Sequence, residues 1–213
     1  MAHLRVSEIF HSLQGESTRV GLPTVFVRLT GCPLRCVWCD SAFAFTGGEM
    51  LDIAEILRQV ARFNCPVVCV TGGEPLAQKD CLTLLSVLCD GGYLVSLETS
   101  GALDISAVDA RVSRVVDIKA PGSGEGDKNR WENMAHLSPQ DELKIVLASE
   151  SDYEWAKTVL TTRHLTETSP VLFAAVEGLL DPRQLADWIL RDRLSVRFQI
   201  QLHKQLWGSI RGH

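Results

Sequence analysis

No stretch of this chain approaches the roughly 20 consecutive apolar residues that a membrane span requires, so a bilayer-spanning protein is not expected. The opening Met1-Ala2-His3-Leu4-Arg5-Val6 lacks the apolar core of a secretory signal, and the expected compartment is the cytosol. Positive charge is also short. With 21 Lys and Arg against 26 Asp and Glu, the net charge is −5, which leaves no basic field for gripping phosphate backbones and argues against direct nucleic-acid binding. Internal repeats and low-complexity segments are absent. The seven cysteines are odd in number and follow no framework-like spacing, as suits a reducing compartment in which thiolates stay free. The 213 residues, 46% of them hydrophobic, fit a single domain over 1–213 with a substantial core and no second catalytic domain.

What the chain does have is concentrated in residues 31–41, Gly-Cys-Pro-Leu-Arg-Cys-Val-Trp-Cys-Asp-Ser. Cys32, Cys36 and Cys39 are spaced C-x-x-x-C-x-x-C in a Gly/Pro-bearing loop, with no neighbouring His or fourth Cys. A structural zinc site closes on four protein ligands. An electron-carrying [4Fe-4S] protein gives each iron its own thiolate. Three thiolates therefore leave one iron open to a small molecule. Packing and disulfide pairing are the plainer alternatives for the triplet, whereas Cys65, Cys69, Cys81 and Cys89 sit among apolar neighbours and read as inert core residues.

Strand-like and helix-like runs alternate along the chain. Strands are expected at Thr24–Leu29, Pro66–Thr71, Tyr93–Glu98, Val115–Lys119, Leu143–Ala148, Val171–Ala175 and Val196–Leu202. Helices are expected after the N-caps Asp52 and Asp80, over Tyr153–Leu160 and over Pro182–Arg193, the last with Pro in its first turn. Such alternation gives a parallel sheet. A closed eight-unit barrel takes about 250 residues, and the link from Glu98 to Val115 is too short for a full helix. The expected fold is therefore α/β, an incomplete, TIM-like barrel of six to seven parallel strands with helices outside. The Gly-rich, polar segment 121–129 reads as a surface loop or an active-site lid, too polar to pack.

Ligands of βα folds sit at the carboxyl ends of the strands. There this sequence places Thr71-Gly72-Gly73-Glu74-Pro75, Glu98-Thr99-Ser100-Gly101, Asp117, Lys119, His203 and Lys204. Gly72-Gly73 is either a tight turn or backbone brought close to a ligand. Glu98 and Lys119 either pair with each other or contact a ligand. His203 alone reads more often as a solvated or core histidine, and only its rim position raises it as a contact.

The Cys triplet with Trp38 before its last member, and T-G-G-E-P one strand later, resemble the radical S-adenosylmethionine superfamily. Ile9-Phe10-His11-Ser12-Leu13-Gln14-Gly15-Glu16-Ser17, Phe26-Val27-Arg28, Cys39-Asp40-Ser41, Ser96–Gly101, Asp117–Pro121 and Gln201–Lys204 resemble its 7-carboxy-7-deazaguanine synthase family over nearly the whole chain. The resemblance implies a radical ring contraction of 6-carboxy-5,6,7,8-tetrahydropterin with loss of ammonia, on the route to queuosine and other 7-deazapurines. It implies a [4Fe-4S] cluster on Cys32, Cys36 and Cys39, with S-adenosylmethionine on the open iron.

By the same resemblance, Gly72, Gly73 and Glu74 meet the methionine amino group and Trp38, Cys39 and Asp40 border the adenine. Asp117, Ile118, Lys119, Glu98 and Ser123 complete the cofactor contacts. The N-terminal extension 1–23 contributes Leu13, Gln14, Gly15 and Glu16 at the pterin edge, where Gln offers both donor and acceptor. Arg28, whose planar fork suits a carboxylate, Thr71 and His203 are further substrate contacts. Ser41 falls where the family binds Mg²⁺, although a serine there also reads as an ordinary loop residue. The carboxylate of His213 is a candidate contact if the tail folds over the mouth, and residues 173–178 match no motif. A flavodoxin- or ferredoxin-type electron donor and a homodimer are also implied. The alternatives are an activase of glycyl radical enzymes, which carries a D-G-P-G type segment in place of Leu-Gln-Gly-Glu-Ser, and a noncatalytic metal-binding module.

Overall fold

The computed structural model describes residues 2–208 and 210–212. In chain order the strands are β1 (His3–Leu13), β2 (Pro23–Leu29), β3 (Glu49–Asp52), β4 (Val67–Gly72), β5 (Leu94–Thr99), β6 (Ser113–Lys119), β7 (Glu142–Leu147), β8 (Val171–Ala175) and β9 (Arg197–Gln199). The helices are α1 (Ile53–Ala61), α2 (Cys81–Asp90), α3 (Glu150–Thr162), α4 (Pro182–Asp192) and α5 (Leu202–Trp207). All nine strands form one sheet in the order β3-β1-β2-β4-β5-β6-β7-β8-β9. From β2 to β9 every neighbouring pair is parallel, which makes seven parallel strands. Two antiparallel strands, β1 against β2 and β3 against β1, extend the sheet at one edge. The order ends at β3 and β9 without joining them, so the barrel is incomplete, as expected.

Side chains alternate between the two faces of a strand. Val25, Val27, Leu29, Val68, Val70, Val95, Leu97, Val116, Ile118, Leu143 and Ile145 meet Ile56, Leu84, Leu85, Leu88, Tyr153, Leu185 and Trp188 of the helices in one core. The intervening residues Phe26, Arg28, Thr71, Glu98, Asp117, Lys119 and Lys144 face the interior of the partial barrel. Each strand thus supplies both a hydrophobic layer and a polar one.

The interior is spanned by the loop that follows β1. Ser17 N donates to Gln199 Oε1 at 3.0 Å, Thr18 N to Glu142 Oε2 at 2.9 Å, and Glu16 pairs with Lys144 at 2.6 Å. These bonds tie residues near β2 to β7 and β9, across the side that no strand closes.

Three expectations change. Residues 196–202 are not one strand: β9 has only three residues, and Leu202 begins α5, where its N–H donates to Gly15 O at 2.9 Å and draws the chain inward. Asp80 occupies the N-cap of α2, but its carboxylate accepts from His3 N at 2.8 Å instead of from its own helix. Segment 121–129 packs after all. Asn129 Oδ1 accepts from Lys119 N at 2.8 Å, its amide donates to Lys119 O and Gly126 O, and Asp152 accepts from Gly122 N at 2.8 Å.

At the amino-terminal ends of β6 and β7, Arg114 and Asp141 form a buried ion pair at 2.6 Å, with Ser138 also donating to the carboxylate. Burial opposes charge on Asp141, but the hydrogen bonds from Arg114 and Ser138 prevail and hold its carboxyl below the usual range. A depressed folded-state value means that the pair stabilises above about pH 4 and that this contribution fades as pH falls further. Asp141→Asn should cost about 3–5 kcal/mol in urea unfolding at neutral pH by stranding the guanidinium. The difference from wild type should shrink in the same titration carried toward pH 2.

Candidate active site

A cavity of about 610 Å³ opens at the carboxyl ends of the parallel strands. Cys32, Cys36 and Cys39 lie along its wall as half-buried free thiols. Among the described residues no three His, Cys, Asp or Glu side chains close around a single ion. Burial pushes the Cys32 and Cys36 thiols up, and Lys119 partly offsets this at Cys36. Bound iron is what would ionise them.

The Cys loop is held from both sides. Gly31 N donates to Ala44 O at 2.8 Å, Glu74 N to Gly31 O at 2.7 Å, Val37 N to Ser123 O at 3.0 Å, and Arg35 N to Glu125 Oε1 at 2.6 Å. Gly72 and Gly73 are glycine because backbone crowds them. A Cβ at Gly72 would stand 2.2 Å from Leu29 O, and one at Gly73 would stand 2.3 Å from Gly31 O and 2.9 Å from Cys32 Cβ. The pair lets β4 end flush against β2 and the Cys loop, while both residues line the cavity.

Charged groups on the wall are paired. Gln14 Nε2 and Thr71 Oγ1 donate to Glu98 at 3.3 and 2.8 Å. Lys119 pairs with Asp117 at 3.1 Å, not with Glu98. Lys144 lies between Asp117 at 3.2 Å and Glu16 at 2.6 Å. Burial disfavours the Lys144 ammonium, but Glu16 and Asp117 hold it well above the ordinary lysine value. Burial likewise works against Asp117, and Lys119 and Lys144 bring it below the usual carboxylate range. Gln201 donates to Glu16 at 2.7 Å and to Asp40 at 3.1 Å, and Lys204 pairs with Asp40 at 3.0 Å. Burial resists the Asp40 charge, yet Lys204 and the Ser41 hydroxyl, 2.9 Å away, hold its carboxyl well below the usual range.

A model of the radical SAM superfamily matches residues 26–117. Over 210 residues the chain is 48% identical to the 7-carboxy-7-deazaguanine synthase of Chlorobaculum tepidum, which covers 97% of this chain and 96% of that protein. It belongs to the 7-carboxy-7-deazaguanine synthase family. The synthase of Koribacter versatilis is 41% identical over 96% of this chain and 97% of its own. Among solved structures, QueE from Escherichia coli superposes with a TM-score of 0.78 at 22% identity, over 94% of this chain and 95% of that one, and shares the fold.

Of the residues that the family resemblance singles out, Leu13, Gln14, Gly15, Glu16, Arg28, Trp38, Asp40, Ser41, Thr71, Gly72, Gly73, Glu98, Asp117, Ile118, Lys119, Ser123 and His203 all line the cavity beside the three cysteines. Glu74 does not. Its carboxylate is fully buried and accepts from Leu76 N at 2.9 Å, Thr99 Oγ1 at 2.9 Å and Ser100 N at 2.7 Å, which fixes the turn after β5. His213 lies outside the described residues. The stretch without a motif contributes Val176 and Glu177 to the wall.

Lys144, Glu8, Phe10 and Phe43 also line the cavity, and sequence reasoning missed them. Lys144 left a signal: a cation at an inward position of β7, between Leu143 and Ile145 of the core face. His203 explains why residue 15 is glycine, since a Cβ there would stand 2.0 Å from its Nδ1. Gly15→Ala should therefore displace α5, read as faster hydrogen exchange of amides 203–207. Adding His203→Ala should restore protection.

Proposed function

We propose that this chain converts 6-carboxy-5,6,7,8-tetrahydropterin into 7-carboxy-7-deazaguanine and ammonia in queuosine and 7-deazapurine biosynthesis. The observation that carries this reading is one cavity walled by three cysteines on one side and by the Gln14–Glu98–Thr71 cluster and Arg28 on another. The donor set fits the implied cofactors. Three thiols in one loop, with no fourth Cys or His beside them, fall one ligand short of a closed structural zinc site and match a cluster that keeps one iron for a small molecule. Cys32, Cys36 and Cys39 would hold the [4Fe-4S] cluster, with S-adenosylmethionine bordered by Trp38–Asp40, Gly72, Gly73, Glu98, Asp117–Lys119 and Ser123. When bound, the cluster and S-adenosylmethionine supply the one-electron chemistry that starts the rearrangement, which is the cofactor's own.

The chain binds, orients and excludes water. Gln14 offers donor and acceptor to the pterin edge and Thr71 adds a hydroxyl, both of them steadied by their hydrogen bonds to Glu98. Arg28 receives the substrate carboxylate. Leu13, Gly15, Glu16 and His203 form the wall around the ring. Glu74 acts through the backbone, holding the Thr99–Ser100 turn beside the cofactor. Ser41 would offer its hydroxyl to Mg²⁺, a hard ion that keeps most of its waters. A single domain with residues 1–23 as its substrate-binding extension and 31–41 as its cluster loop, a flavodoxin- or ferredoxin-type donor, a homodimer and a cytoplasmic location complete the proposal. Among the described residues no helix is long and apolar enough to cross a membrane.

Anaerobically reconstituted protein, given S-adenosylmethionine, Mg²⁺, a reductant and the carboxytetrahydropterin, should release ammonia in step with a deazaguanine product; an inert pterin would overturn the assignment. Cys36→Ala should abolish both the iron–sulfur absorbance and turnover, whereas Cys89→Ser should alter only stability. Ser41→Ala should lower activity and flatten its dependence on added Mg²⁺.

A further inference from the structure

β1 changes faces midway. Val6 pairs with Leu29 and Glu8 with Arg28, so Ser7 is an extra residue with no partner of its own, a β-bulge. Before it, Leu4 and Val6 point to the helix-side core, and after it Ile9 does. Glu8 and Phe10 therefore turn into the cavity. With regular pairing Ser7 would oppose Arg28, and Glu8 would face the apolar layer, because a one-residue shift exchanges the two faces of a strand.

The bulge delivers Glu8 to its cross-strand neighbour. Glu8 Oε1 accepts from Arg28 Nε at 2.7 Å, with the two side chains only 21% and 17% exposed. The guanidinium carbon lies 5.7 Å from the centre of the Phe10 ring and 5.6 Å from that of Phe43. Phe10 in turn stacks on Phe26, with ring centres 4.9 Å apart and planes 11° from parallel. Arg28 is thus bonded at Nε and packed against two rings, with its Nη edge left for a second carboxylate. A long side chain held this way loses little rotamer freedom when a ligand arrives.

We propose that Glu8 is a positioning residue that fixes Arg28 and thereby sets the preference of the cavity for a carboxylated pterin over an uncarboxylated one. This rests on the reading of Arg28 as the receptor of the substrate carboxylate. The carboxylate of Glu8 has two opposed effects. Its charge offsets part of the attraction of Arg28 for a second anion, while its hydrogen bond holds the fork in place. The proposal is that placement outweighs the lost attraction.

Equilibrium binding to the reconstituted holoenzyme, without reductant so that nothing turns over, separates the two. The ligands are 6-carboxy-5,6,7,8-tetrahydropterin and tetrahydropterin lacking the carboxylate. Glu8→Ala should weaken the carboxylated ligand about tenfold, in line with loss of a charge-assisted hydrogen bond, and leave the other within about twofold. Glu8→Gln keeps an acceptor for Nε without the charge and should bind the carboxylated ligand at least as tightly as wild type. If Glu8→Ala binds it as tightly as Glu8→Gln, placement does not matter and the proposal fails. Equal loss of both ligands in Glu8→Ala would mean a merely structural role and would also overturn it. Arg28→Ala tests the underlying reading by itself: if that variant keeps the wild-type preference, the carboxylate does not bind at Arg28, whatever the Glu8 variants do.

Discussion

A sheet that stops at seven parallel strands leaves its polar inner face open on one side, and the pairing of Glu16 with Lys144 is what the arrangement depends on. Closed barrels fill their interior with side chains from every strand. Here residues 16–18 do part of that work. They lie over β7 and β9 and bond to Lys144, Glu142 and Gln199, polar side chains that are largely buried on those strands. Burying a charge is tolerable only with a partner. Sheet and loop therefore require each other, and the loop brings Leu13, Gln14 and Gly15 into position as a consequence of its own anchoring.

The same pairing sets the electrostatics of the cavity. Glu8, Glu16, Asp40 and Asp117 each face a cation, respectively Arg28, Lys144, Lys204 and both Lys119 and Lys144. Glu98 is instead satisfied by an amide and a hydroxyl. Most charges on this wall are thus compensated in pairs, Glu98 and Arg211 being exceptions, the latter over the Phe43 ring. The wall can admit a ligand of mixed charge, such as an amino acid sulfonium or a pterin carboxylate, without the penalty of an uncompensated wall. Selectivity then rests on which pair opens toward which group, and so on geometry more than on total charge.

Much of this was legible in the residues themselves. Apolar runs bounded by turn residues located the parallel strands to within a residue or two, and at Val171–Ala175 the bounds coincide. Motif residues at strand ends fell on one rim because a parallel sheet allows nothing else. The failures have physical causes. Residues 196–202 read as one strand, but a backbone bond from Leu202 to Gly15 and the Gln201 amide divide it, and those partners are about 185 residues away in sequence. Glu74 carries a motif letter that points to a ligand, yet its carboxylate goes to a neighbouring turn. Ser7, which redirects Glu8, is an unremarkable residue in a regular-looking run. Bulges are set by pairing, and pairing is not a property of one strand.

The Cys loop depends most on its surroundings. In a zinc knuckle the metal closes the loop on itself, since all four bonds come from the protein and the ion is the core. A three-thiol loop gives up one such bond to keep a coordination position for a small molecule, and protein contacts must make up the difference. Gly72 and Gly73 allow two strand ends to abut it, Glu74 N bonds to Gly31, and Ser123 and Glu125 receive its Val37 and Arg35 amides. This also explains why the polar, Gly-rich segment 121–129 folds down against the Cys loop. Its carbonyl and carboxylate groups satisfy the loop amides that a fourth ligand would otherwise have helped to order. The three-thiol loop and the packed segment after β6 are two sides of one requirement.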